Sequence, residues 1–196
     1  HIAEKMVSLV SGQMFDMLVN KHELPAQMAI DLAGSARERA TIDLVEQAGR
    51  TQDLARFVSQ LNLNGRLGHS LIMRALCCGQ MPFVEHALAE LSGVGHQRVW
   101  LMIHDAGPLG LQAVFDRAGL PRKMLPAFRA AVNVFHETSH DGGPNDRARF
   151  RARMIERVLT QFQAIPKDDL EYLLDKLDYY SAMADSEKDE SEFDAA

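Results

Sequence analysis

DAGPLGLQAVFDRAGLPRKMLPAFRAAVNVFH, residues Asp105 to His136, spells out two helices with start and stop signals at both ends. Gly107-Pro108 opens the first, with proline at an early helical position where its missing N–H is no loss. Leu111, Val114, Phe115 and Ala118 then recur at i, i+3, i+4 and i+7, which is one apolar face. Gly119 closes that helix and Pro121 starts the next almost at once. The second helix carries Leu125, Phe128, Ala131, Val132 and Phe135 along one side. The stretch therefore predicts a tight helical hairpin.

The same punctuation extends outward. Gly79, Gly93, Gly107 and Gly119 lie 14, 14 and 12 residues apart, so helices of about three turns follow one another with turns too short for long crossovers. Upstream, Ile2 to Val19 reads as a helix with a wide apolar stripe (Ile2, Met6, Leu9, Val10, Met14, Met17, Leu18), as expected at the cut end of a longer stack. Pro25 to Gly49 reads as one long helix with Ile30, Leu32, Ala33, Ala40, Leu44 and Val45 apolar. A break at Gly34 is the alternative, because Ser35 and Glu38 would fit a capping box. Asp53 to Leu61, Leu67 to Cys78, Pro82 to Leu91 and His96 to Ala106 are shorter helices. Downstream, Asp146 to Gln163 and Lys167 to Met183 form a C-terminal hairpin, the latter with Leu170, Leu173, Leu174 and Leu177 inward.

No stretch alternates with period two over a strand's length, so the expectation is an all-α chain of stacked helical hairpins, an α-solenoid of HEAT-like type. A hairpin period of about 27 residues is short for such repeats. The expected division is a helical-repeat domain over 1–140, a C-terminal helical hairpin over 141–183 packed on it, and a flexible acidic tail over 184–196.

Composition narrows the class. With 46% hydrophobic and 24% charged residues, the 196-residue chain is that of an ordinary water-soluble protein, and no apolar run approaches the ~18 residues of a membrane span. The net charge of −6 lies mostly in the final stretch, where Asp185, Glu187, Asp189, Glu190, Glu192 and Asp194 face only Lys188. Cys77 and Cys78 are adjacent and have no other cysteine to pair with, so two buried thiols in a reducing cytoplasm is the reading.

Several runs together carry a family resemblance. They are SLIMRALCCG (Ser70 to Gly79), FVEHALAEL (Phe83 to Leu91), RVWLMIHDAGPLGL (Arg98 to Leu111), RAGLP (Arg117 to Pro121), PAFRAA (Pro126 to Ala131), RARMIERVLTQF (Arg151 to Phe162) and DDLEYLLDKL (Asp168 to Leu177). Over Leu24 to Leu177 the chain resembles an alphaproteobacterial family of helical proteins, domain of unknown function 2336. The resemblance implies a HEAT-like helical fold and a longer parent protein with helices upstream; it brings no catalytic residues.

One segment carries a sharper chemical signal. HETSHDGGPND, His136 to Asp146, satisfies H-E-x-x-H-x-x-G-x-x-D, the zinc site of a metzincin-like protease. His136 and His140, one helical turn apart, would both face the metal, and Asp146 would return as third ligand. Glu137 would act as general base on zinc-bound water, and Ser181-Ala182-Met183 could be the Met-turn. Against this, a metzincin cleft needs a sheet upstream, and the upstream sequence is helical throughout. The segment also has a plain role: Gly142 and Gly143 stop a helix, and Pro144 and Asp146 start the next.

The remaining signals are weaker. Arg149, Arg153 and Arg157 lie at i, i+4 and i+8 with Arg147 and Arg151 beside them, a basic stripe that is either a solvated face or a surface for an acidic segment. The acidic net charge and the lack of interleaved aromatics argue against nucleic acid. His22, His69, His86, His96 and His104 form no metal pair at i, i+4 and read as surface or hydrogen-bonded helix residues. Trp100, beside Val99, Met102 and Ile103, reads as core.

The expectation is a non-catalytic helical module that binds another protein, as a bacterial cytoplasmic regulator or scaffold, with no cofactor. Self-association through the first helix is a further expectation. The alternatives are a zinc peptidase built on His136, Glu137, His140 and Asp146, and an anion-binding module built on the arginine stripe.

Overall fold

The computed structural model describes residues 2–48, 54–105, 107–143, 145–163 and 165–193, with the side chains of 2–8, 35, 46–48, 108 and 185–193 outside the description. Among the described residues all regular structure is helical, as the missing period-two pattern predicts. The predicted helix ends at Gly49 and Asp53, the Ile2 and Met6 side chains, and Pro144 lie outside the described residues. Two compact units divide between Arg66 and Leu67, so the predicted line at residue 140 falls inside the second unit.

The first unit holds α1 (Ile2–Asn20), α2 (Ala26–Ala48) and α3 (Leu54–Leu63). α1 and α2 pack on each other as a hairpin, turning through Glu23 at φ +52°. α2 runs unbroken past Gly34; a lone interior glycine costs only ~1 kcal/mol, less than a second helix nucleation would. The inward side of α2 is small at its start and larger further on: Ala29 and Ala33, then Thr41, Ile42 and Val45. Ile30 and Leu32, predicted as part of the apolar pattern, are about half exposed. The Thr41 hydroxyl donates to the Arg37 carbonyl at 2.8 Å and accepts from the Arg66 guanidinium.

The second unit is built on α4 (His69–Cys77). Leu71 to Cys77 are all buried, so α4 is covered on every side. Around it lie α5 (Met81–Ser92), α8 (Leu125–Glu137), α9 (Asp146–Gln161) and α10 (Lys167–Phe193), each in contact with α4. α6 (His96–His104) packs on α5, and α7 (Gly107–Arg117) packs on α5, α6 and α8. In a simple open stack a helix touches only its sequence neighbours. Here α4 also meets α8, α9 and α10, so the unit closes around a central helix instead of running as a stack.

The hairpin that decides the fold is present. Leu111, Val114, Phe115, Phe128, Ala131 and Val132 are buried, and the Phe115 and Phe128 rings meet edge-on at 5.0 Å. α8 is entered through a 3-10 turn, Arg122–Met124, with Pro126 in its first turn. The four regularly spaced glycines turn with φ between +66° and +73°, the left-handed conformation that ends a helix cheaply only at glycine. Cys77 and Cys78 are both buried, and burial pushes the Cys77 thiol well above its ordinary value.

α10 departs from its expected register and length. Leu173 is buried and Leu174 is 46% exposed, while Asp169, Tyr172 and Tyr180 turn inward. The cause is a buried ion pair: Arg74 Nε of α4 donates to Asp169 Oδ1 at 2.7 Å, and the Ser70 hydroxyl donates to the same oxygen. Tyr172 closes over the Arg74 guanidinium at 4.8 Å from the ring centre. α10 then continues as helix to Phe193, so the acidic stretch after Ala184 is helical backbone over that span instead of a structureless tail.

Candidate functional site

α8 ends at Glu137, where Thr138 turns extended; its N–H and its hydroxyl both donate to the Val134 carbonyl, at 2.9 and 2.6 Å. His136 and His140 therefore do not share a helical face, which is the premise of the metal motif. His140 instead lies flat on the Phe150 ring, 4.3 Å away and 9° from parallel, and its Nδ1 is 2.9 Å from Asp146 Oδ2. The other Asp146 oxygen accepts the Asp141 N–H at 3.0 Å. That backbone N–H, with His140 as a further donor, holds the Asp146 carboxyl below its ordinary value. The segment is thus a carboxylate-pinned loop leading into α9. The three predicted ligands do not form one coordination set, and among the described residues no group of three or more His, Cys, Asp or Glu is arranged to hold a metal ion.

The same loop lies along the arginine row. Arg149 pairs with Asp141, Arg153 Nη2 donates to the Ser139 carbonyl at 3.2 Å, and Arg157 lies 3.7 Å from Glu137. Arg151 stands over the Tyr180 ring at 5.2 Å, and Arg147 is exposed. The bonds from Arg149, and then from the Gly143 N–H, pull the Asp141 carboxyl down from 3.8 to about 2. Three of the five predicted binding arginines therefore meet an anionic or carbonyl group of their own chain.

His136 points elsewhere, into a cluster that sequence spacing did not reveal. Its Nε2 is 2.8 Å from His104 Nδ1, and His104 Nε2 is 2.9 Å from Glu85 Oε1. A carboxylate only accepts, so neutral His104 donates through Nε2–H and its Nδ1 must accept from His136. Glu85 is 6% exposed; its other oxygen lies 3.2 Å from His96 Nε2. His96 stacks on His86 at 3.9 Å, and Trp100 tilts against His104 at 4.9 Å. Burial, and then the neighbouring imidazole, pushes both His86 and His136 below their ordinary 6.5. Trp100 is not core: it is 41% exposed while Val99 and Ile103 on the same helix are buried.

A second feature is apolar. In the first unit Leu9, Val10 and Met17 of α1 and Met28, Ile30 and Leu32 of α2 are between 46% and 63% exposed. Val10 and Met17, seven residues apart, share one flank of α1; Met28 and Leu32, four apart, share one flank of α2. Ile30, two residues from both Met28 and Leu32, lies on the other side of α2, so the apolar flanks are Val10 and Met17 with neighbouring Leu9 on α1, and Met28 and Leu32 on α2. The wide stripe read in the first helix is the signal that finds the α1 flank.

No curated protein and no solved structure matches the chain. Residues 1–167 match the model of a family described as an uncharacterised protein conserved in bacteria (DUF2336), and the chain belongs to that family.

Proposed function

We propose that the protein is a non-catalytic helical module that binds an amphipathic helix of another protein, as a bacterial regulator or scaffold. The observation that carries this reading is the apolar flanks of the α1–α2 hairpin, where Leu9, Val10 and Met17 of α1 and Met28 and Leu32 of α2 are between 46% and 63% exposed. Apolar flanks on two packed helices suit a partner helix that lays its own apolar face against them. Burying such side chains contributes about 25 cal/mol per Å² of apolar surface, enough to drive association without any charge. The arginine row is the poorer candidate, since Arg149, Arg153 and Arg157 are engaged by their own loop.

The test begins with a photo-reactive residue placed at Leu9 or Leu32 in the native host. The protein trapped by both positions is then purified and titrated against the chain. A one-to-one complex, weakened about tenfold or more by Leu9→Glu with Leu32→Glu, is expected from the loss of ~1.4 kcal/mol or more of apolar contact. Unchanged affinity in that variant contradicts the reading. Cross-links solely to a second copy replace it with a homo-oligomer, the self-association expected of the first helix.

A further inference from the structure

α6 is a lightly anchored helix. Of its nine residues only Val99 and Ile103 are buried, and polar groups add to its hold on α5: His96 and His104 lie 3.2 and 2.9 Å from the Glu85 carboxylate, and His96 stacks on His86. One buried carboxylate thus serves two imidazoles, and a third imidazole lies face to face with one of them. One positive charge among the stacked rings is matched by Glu85. A second is not, and two imidazolium rings 3.9 Å apart repel in a partly desolvated site.

We propose that the His86–His96 stack on Glu85 is an acid-sensitive latch, which holds α6 on α5 while His86 is neutral and releases it when both rings are protonated. Of the two acids on α5, Glu85 is the one whose charge acts on His86, and Glu90 does not figure among the groups that shift it. From α8, His136 faces His104 and brings no anion, and the adjoining Glu137 lies beside Arg157. On α7, the other helix packed on α6, Asp116 pairs with Arg122, and Arg117 donates to the Ser92 carbonyl. From α4, Arg74 is engaged with Asp169. The lowered proton affinity of His86 agrees in direction. Its folded value lies below the ordinary 6.5, so the contribution is complete above that pH and lost as pH falls beneath it. Release uncovers Val99 and Ile103, the apolar side of α6.

The test is native-state hydrogen exchange on the full chain at pH 7.5 and 5.0, corrected for the intrinsic pH dependence, comparing α6 with α4. The latch predicts that α6 amides accelerate about tenfold relative to α4 in acid. His86→Gln and His96→Gln each remove one ring of the stack, and each must largely remove the acceleration. A constant ratio in the wild type overturns the proposal, as does acceleration that persists undiminished in either variant.

Discussion

At Gly79 the backbone turns with φ +73°, and a β-carbon there would sit 2.7 Å from Cε1 of Phe150. The ring has little freedom to yield, because His140 lies on its face and Phe135 meets it edge-on at 6.0 Å. Gly93 has a similar φ of +66° but open space around it. Gly93→Ala should therefore cost about 1–2 kcal/mol from backbone strain alone. Gly79→Ala should cost about 1–3 kcal/mol more from overpacking. Urea unfolding of both variants checks this, and equal losses would mean that Phe150 moves aside. Asp141 offers an independent check at the same scale: Arg149→Gln should raise its carboxyl from about 2 towards the ordinary 3.8, read by NMR titration. The sign follows from the direction of the shift: the loop contact is complete above 3.8 and lost as pH falls towards about 2. Neither contact is legible in the sequence. Gly79 shows itself as a helix stop, but the ring beside it comes from a helix some 70 residues downstream.

Among the elements, α10 is held by polar chemistry where an apolar face was expected. The Arg74–Asp169 pair is buried on both sides, with each residue 3% exposed. Asp169→Ala should destabilise by about 3–5 kcal/mol, because it strands a buried guanidinium. Arg74→Met with Asp169→Leu should cost distinctly less than the single change, since no charge is left unpaired. A double variant as unstable as the single one would show that Ser70 and Tyr172 need the pair for their own placement. The periodicity argument located the helices because Gly and Pro punctuation is local, and it located the inward face of α7 and α8 because that face is apolar. It misplaced Leu174 and Trp100 for a common reason: polar partners from other helices took the inward positions. Asp169 displaces a leucine register on α10, and Glu85 with His104 holds the polar side of α6 so that Trp100 is left facing out. The two histidines of the metal motif part locally, at Thr138, where the backbone turns extended and α8 stops before the second histidine.

At the scale of the whole molecule, both compact units fall largely within the span matched by the bacterial family, and α10 begins where that span stops. No helix among the described residues is long and apolar enough to cross a membrane. The role proposed for the apolar flanks of α1 and α2 is to bind a partner helix by burying apolar area. The stripe was legible in the sequence through its breadth, while which of its residues stay uncovered depends on how α1 and α2 pack, with Ala29 and Ala33 of α2 turned inward. The most direct measurement is the heat-capacity change on binding the purified, cross-link-identified partner, taken from calorimetry over a range of temperatures and at two salt concentrations. A clearly negative heat-capacity change, with affinity nearly independent of salt, is the predicted result. A heat-capacity change near zero, with affinity falling steeply as salt rises through ~0.15 M, would contradict the claim and move the interface to the arginine row.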